Sequence, residues 1–266
     1  LPGYETLTSV VNGYAGTPSL TGLGRYEQFD VRCVGPVDPT LAYLVDIKVI
    51  DRAVRRAVAP IVAEALRRSV ASSAKVNLPL VLTTAGEALR LELGGILASL
   101  RWRLTPYLSL ETIVNDARPS ASSAPSVLFR QRFEFAASHR LHVPSLSIEE
   151  NRRAFGKCNH ANGHGHNYIF EPCVEVPVSA APSQLSVQGL EHLCKEVLLD
   201  RYDHTYLNVD TPEFDAERGG VVPSVENIAK VFFDRLAPKI AEAGGGRLVQ
   251  MTVWESDRTS ASYPSV

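Results

Sequence analysis

The stretch CNHANGHGHNY, Cys158 to Tyr168, opens on a cysteine, passes through a polar turn and closes on alternating histidines. Asn162 and Gly163 are turn formers, so the chain from His164 onward reads as the start of a strand. Successive strand residues point to opposite faces, which puts the His164 and His166 side chains next to each other on one of them. A third histidine, His139, ends FEFAASH, where Phe133, Phe135 and Ala137 alternate with Glu134, Ala136 and Ser138 as in a half-buried strand. If these two strands pair, three imidazoles converge and a fourth position stays open, the arrangement a catalytic zinc needs. The turn could bring Cys158 back over the metal. As a fourth ligand Cys158 would close the site. Left free beside a cation, its thiol would lose a proton more readily and could act as a base, and this is the preferred reading.

The chain has 266 residues, enough for two domains of roughly 130 residues each. Its hydrophobic share of 45% and charged share of 21% suit a globular protein. Twenty-seven basic against twenty-nine acidic side chains leave a net charge of -2, which argues against non-specific nucleic-acid binding. No apolar run reaches the roughly 18 to 20 residues of a membrane span, so no membrane partner is expected. Cys33, Cys158, Cys173 and Cys194 are widely spaced with no CxxC pair, so a reducing, cytoplasmic compartment is expected rather than a disulfide scaffold. No secretory signal is recognised at the start, although the chain opens on Leu1 and its one methionine is Met251.

In chain order, a short strand is predicted at Leu7 to Val11, then strands at Tyr26 to Val37 and Tyr43 to Ile47. A helix follows from about Lys48 to Arg68, carrying Val49, Ile50, Val54, Val58, Ile61, Val62 and Leu66 at helical spacing. A second helical pattern covers Gly86 to Ala98, and Leu100 to Ile113 reads as one strand or a hairpin. Ala117 to Ser126, ARPSASSAPS, can bury little and is the linker candidate. Beyond it come strands at Val127 to Arg140 and Asn167 to Val178, the latter placed near an edge or at bulges by Pro172 and Pro177. Helices are expected at Ser186 to Leu199 and Ser224 to Ile240, with Ser224 as N-cap, and a final strand at Arg247 to Glu255.

The order strand, strand, helix, helix, strand recurs on the two sides of the linker, with Tyr26 matched to Tyr168 and Gly86–Leu89 to Val225–Ile228. Two α+β domains are therefore expected, residues 1–118 and 127–266, each an antiparallel sheet with two helices on one side. All seven histidines lie after residue 138, and Gly22 and Gly24 stand where the second half has its paired histidines. The first domain reads as a copy without metal ligands.

Asp203 and His204 either form a capped turn or, in a loop, a relay near Cys158. Glu255 is either a solvent-facing glutamate or a carboxylate that anchors a planar, donor-rich ring. Glu226 reads as a first-turn residue favoured by the helix dipole. His142, His160 and His192 have no assigned role.

FAASHRL around His139, FGKCNHANGHGHNY from Phe155 to Tyr168, DHTYLN from Asp203 to Asn208, VEN at Val225 to Asn227 and WE at Trp254 and Glu255 resemble, in order, the 6-pyruvoyl-tetrahydropterin synthase family. Five residues separate Cys158 from His164, as in the pyruvoyl-forming enzymes; the related 6-carboxy-tetrahydropterin synthases tend to have three. The resemblance implies His139, His164 and His166 as zinc ligands, Cys158 as proton-transferring base, Asp203 and His204 as its relay, and Glu255, Ser224 and Glu226 as substrate-binding residues. It further implies a tunnelling fold, duplicated in tandem, with sites between subunits, and a homo-oligomer in which three two-domain chains stand in for six domains. The implied reaction turns 7,8-dihydroneopterin triphosphate into 6-pyruvoyl-tetrahydropterin with loss of triphosphate.

Overall fold

A computed structural model describes residues 27–72, 76–114, 125–179 and 185–265. The chain divides into one unit of Leu1–Val127 with Pro177–Pro182 and another of Leu128–Val176 with Ser183–Val266. The strand expected at Leu7 to Val11, the paired Gly22 and Gly24, and the linker up to residue 124 lie outside the described residues.

In the first unit, β1 (Gln28–Cys33) and β3 (Leu108–Ile113) flank β2 (Leu97–Thr105), all antiparallel. Phe29 lies opposite Trp102 and stacks on it at 6.1 Å, while the fully buried indole donates its N–H to Glu27 at 2.5 Å. Pairing an indole with a carboxylate removes the cost of burying its one polar atom. The first helix is α1 (Ile47–Ala53), which runs through a π-helical segment at Val54–Val58 into α2 (Ala59–Ser72). No strand forms at Tyr43 to Ile47. The Asp38 carboxylate accepts the Thr40 and Leu41 amides at 2.8 Å each and turns the chain, and Asp46 caps α1 by accepting the Lys48 amide.

The second helix, α3 (Leu78–Leu93), begins eight residues before the expected Gly86 and stops before the expected Ala98. Asn77 caps it, Pro79 fits its first turn, and Leu82, Ala85, Leu89 and Leu93 form the buried stripe. Gly94, at φ 65°, stops the helix and frees Leu97 and Ala98 for β2. Gly86 therefore lies mid-helix. An added Cβ there would sit 2.7 Å from a Thr112 methyl, so the small residue marks close helix-to-sheet packing rather than a helix start.

In the second unit β4 (Ser126–Gln131) and β5 (Phe133–His139), interrupted at Arg132, both pair with the long strand β6 (His164–Pro177). β8 (Arg247–Ser256) pairs antiparallel with β6, and β9 (Thr259–Tyr263), a strand the sequence pattern had not disclosed, closes a hairpin with β8. β6 has β4 and β5 along one side and β8 along the other, so Pro172 is not on an edge strand. It sits opposite Met251, and a register shift between Cys173 and Val174 follows at once, which is the bulge alternative.

Between β5 and β6 lies α4 (Ile148–Phe155), started by a full capping box of Ser147 and Glu150 and followed by a 3₁₀ turn at Gly156–Asn159. α5 (Val187–Cys194) continues through a π segment at Lys195–Leu199 into α6 (Asp200–Tyr202). The two-residue strand β7 (Thr205–Tyr206) pairs parallel with β5, and α7 (Leu207–Asp210) follows. α8 (Val225–Ala243), capped by Ser224, lays Ile228, Ala229, Phe232, Leu236 and Ile240 into the core. Phe232 is fully buried with its ring 4.9 to 5.5 Å from those of Phe135, Phe170 and Tyr202. Burying such a side chain contributes about 1.5–3 kcal/mol, and this cluster packs on the sheet face that also carries the histidines. No described helix is long and apolar enough to cross a membrane.

Candidate metal centre

β5 and β6 pair in the register that sets His139 opposite His164 and Ala137 opposite His166. All three imidazoles share the face of Phe135, Tyr168 and Phe170. The His139 and His164 Nε2 atoms lie 3.2 Å apart, and both rings sit within 5.2 Å, centre to centre, of the His166 ring. Gly163 makes this register possible. At φ 68° it turns the chain into β6, and a Cβ there would come within 2.9 Å of the His139 carbonyl and 3.0 Å of the Tyr206 ring.

His139 is fully buried and its Nδ1 lies 2.7 Å from the Pro223 carbonyl. A carbonyl only accepts, so Nδ1 carries the ring hydrogen and Nε2 faces its neighbours with a lone pair. This backbone partner of the ring lies one residue before the Ser224 cap of α8 and has no side-chain signature in the sequence. Burial pushes the His164 and His166 pKa values down; the Glu255 charge opposes it and neighbouring imidazoles add to it, and the net lowering favours the neutral form that binds metal. His166 Nε2 is buried and makes no hydrogen bond. A soft-to-borderline set of three neutral imidazoles suits zinc, and an unpartnered buried nitrogen facing the cluster fits an ion at its centre.

Glu255 joins this group. Its Oε1 lies 3.1 Å from His139 Nε2 and 3.5 Å from His166 Nε2, and the ligand atoms of His139, His164, His166 and Glu255 all fall within 4.8 Å of one another. The close contact with His139 is the main reason the Glu255 carboxyl lies below its usual pKa, against the opposing effect of burial. The Tyr168 hydroxyl is buried without a partner; its pKa is driven up by burial first and then by the charges of Glu255 and Cys158.

Cys158 is a free, half-buried thiol in the 3₁₀ turn and is not one of the four clustered ligands. Its carbonyl accepts the Leu141 amide at 2.9 Å, which ties its turn to the chain just beyond His139. Asn159 strengthens the tie by donating to the Leu141 carbonyl at 2.7 Å. Asn151, fully buried, holds the intervening loop by accepting the Val143 amide and donating to three carbonyls.

Asp203 and His204 lie on the edge of β5 away from β6. The Asp203 carboxylate accepts the Ala136 amide at 2.8 Å, the His204 amide donates to the Ala136 carbonyl at 2.6 Å, and the His204 ring reaches back to Asp203 at 3.0 Å. The Ala136 amide is the main reason the Asp203 pKa is lowered. Positive φ at His204, 58°, turns its mostly exposed ring into an open cleft of about 600 Å³, which Ser138, Gly165, Asn167 and Tyr206 also line. No hydrogen bond or ion pair joins Asp203 or His204 to Cys158 among the described residues. Glu226 is exposed in the first turn of α8, and the Ser224 hydroxyl is occupied as its cap.

Comparison with known proteins follows the same residues. The family model described as 6-pyruvoyl tetrahydropterin synthase matches residues 129–265. A 6-pyruvoyl tetrahydrobiopterin synthase of Dictyostelium discoideum is 34% identical over 139 residues, covering 52% of this chain and 96% of the relative. The human protein of the same description is 35% identical over 134 residues, covering 50% and 88%. Among solved structures, the 6-pyruvoyl tetrahydropterin synthase of Caenorhabditis elegans matches with a TM-score of 0.48 and 30% identity, covering 54% of this chain and 98% of that one.

Proposed function

The chain belongs to the 6-pyruvoyl tetrahydropterin synthase family, and from that premise we propose that it is a zinc-dependent lyase acting on 7,8-dihydroneopterin triphosphate. It releases triphosphate and leaves 6-pyruvoyl-tetrahydropterin. The observation that carries this reading is the convergence of His139, His164 and His166 at one point on the face of β5 and β6. A zinc ion held there would act as a Lewis acid toward the side-chain oxygens of the substrate. Cys158 is assigned the removal of carbon-bound protons, since its turn is tied to the segment following His139. Glu255 is assigned to the pterin ring, whose N–H groups need a buried acceptor, with Ser224 and Glu226 close by in the chain segment that also supplies Pro223.

Asp203 and His204 are assigned as the relay for Cys158. Among the described residues no bond joins them to Cys158 of the same chain, and the His204 ring lines an open cleft, which supports a site completed by a neighbouring copy and hence a homo-oligomer, read as a trimer of two-domain chains. A solution mass inconsistent with three chains would count against that assembly.

The first unit is read as a second copy of the same core that lacks metal ligands. β1 and β2 shift register between Arg32 and Cys33, as β6 and β8 do between Cys173 and Val174. The hairpins β2–β3 and β8–β9 also slip at the same place, from Arg103↔Ser109 to Thr105↔Leu108 and from Trp254↔Ser260 to Ser256↔Thr259. A π segment joins α1 to α2 in the first unit and α5 to α6 in the second. On this reading Glu27, rather than Tyr26, corresponds to Tyr168, and Leu104 to Glu255. One metal ion per chain is therefore expected.

Product analysis on the zinc-loaded protein with 7,8-dihydroneopterin triphosphate tests the assignment. Inorganic triphosphate and a pyruvoyl pterin are expected; a carboxy pterin with acetaldehyde would move the chain to the related reaction, and no turnover would refute lyase activity.

A further inference from the structure

We propose that Glu255 is itself a metal ligand in the resting protein, closing the centre to four-coordination, and that substrate enters by taking its place. This rests on reading the three histidines as a metal site, and it gives the carboxylate a role before it meets the pterin ring.

The distances carry the argument. Four donors at zinc-ligand distances of about 2.0–2.1 Å, arranged tetrahedrally, lie roughly 3.3–3.4 Å from one another. The spacings are 3.1 Å from Glu255 Oε1 to His139 Nε2, 3.2 Å from His139 Nε2 to His164 Nε2 and 3.5 Å from Glu255 Oε1 to His166 Nε2. The remaining separations among these ligand atoms stay within 4.8 Å. The carboxylate is placed for this by its strand. β8 pairs Trp254 with Ile169, so Glu255, the next residue, comes level with Tyr168 on the face that carries His166.

Hydrogen bonding does not account for the set. His139 gives its ring hydrogen to Pro223 through Nδ1, so the lone pair on Nε2 faces a carboxylate oxygen and a second imidazole nitrogen. A single proton relieves one of those contacts and leaves the other. His166 Nε2, buried without a hydrogen bond, faces the same carboxylate oxygen. One divalent cation at the centre serves all four donors and adds the charge that a carboxylate ligand balances. Displaced from the metal, the same carboxylate is free to accept from ring N–H groups, so ligand exchange and substrate anchoring become one movement.

The test replaces zinc by one equivalent of cobalt(II) in the wild-type protein, in Glu255→Ala and in the near-isosteric Glu255→Gln, and records the visible spectrum with and without azide. The wild-type protein is expected to show the intense bands of four-coordinate cobalt and to ignore azide. Both variants are expected to bind cobalt more weakly by at least the roughly 10–100-fold that even an outer-shell partner contributes, with altered bands that respond to azide. Wild-type and variant spectra that coincide, or a wild-type spectrum that azide shifts as fully as the variants, would overturn the ligand role and leave the histidine site intact. Cobalt bound by none of the three proteins would overturn that site as well.

Discussion

His139 and His164 stand directly opposite each other across β5 and β6, with their Nε2 atoms 3.2 Å apart. Two strands separated by a 24-residue excursion thus deliver two imidazoles to one point, and β6 adds His166 by alternation alone. The His164 ring is only partly buried, so its removal should spare the fold. His164→Ala is expected to lose bound metal on dialysis while keeping its far-UV circular dichroism. One equivalent retained after dialysis would contradict the ligand assignment.

Cys158 lies outside the ligand cluster, so its role separates from metal binding. Cys158→Ala is expected to retain one equivalent of metal and to lose turnover by about 10²–10⁴-fold, the usual contribution of a positioned acid or base. Metal content and initial rate on the same preparation decide it. A rate within a factor of about two of wild type would remove Cys158 from the chemistry.

On the sheet face that carries the histidines, Phe232 fills the space between Phe135, Phe170 and Tyr202. Phe232→Ala leaves a large cavity and is expected to destabilise the protein by about 3–5 kcal/mol, read from chemical denaturation. A change below about 1 kcal/mol would mean that α8 is not packed as described.

Asp203 is held ionised mainly by the Ala136 amide, which places its folded-state pKa below the ordinary 3.8. A carboxyl depressed in this way stabilises the fold fully above the unfolded value, and that contribution is lost as the pH falls through the lower folded value. Denaturation of wild type and Asp203→Asn should therefore differ by a constant amount from neutral pH down to about pH 5 and converge below about pH 4. A difference that persists unchanged below pH 3 would contradict the linkage.

Much of the second unit was legible because its elements carry strong local signals. The alternation in FEFAASH and the HGH spacing located β5, β6 and the three histidines, and Ser224 marked the start of α8. Where several structures satisfied the same apolar pattern, local polar contacts decided. Asp38 and Asp46 turned the predicted strand at Tyr43 into a loop and helix cap, and Asn77 moved the start of α3 ahead of Gly86. α4 escaped notice because its residues are mostly polar and charged, so the capping box rather than periodicity announces it. Pro223 escaped because it acts through a carbonyl, and carbonyl positions are set by tertiary structure. The Glu255 contact with the histidines depends on the register of β8 against β6, a long-range property that neither strand encodes alone.

The most direct test is anomalous diffraction at the zinc absorption edge from crystals of the protein grown with zinc. One peak per chain is expected, about 2.0–2.1 Å from the facing nitrogens of His139, His164 and His166. Ordered histidine rings around a position with no anomalous peak would contradict the metal centre on which the proposed chemistry depends.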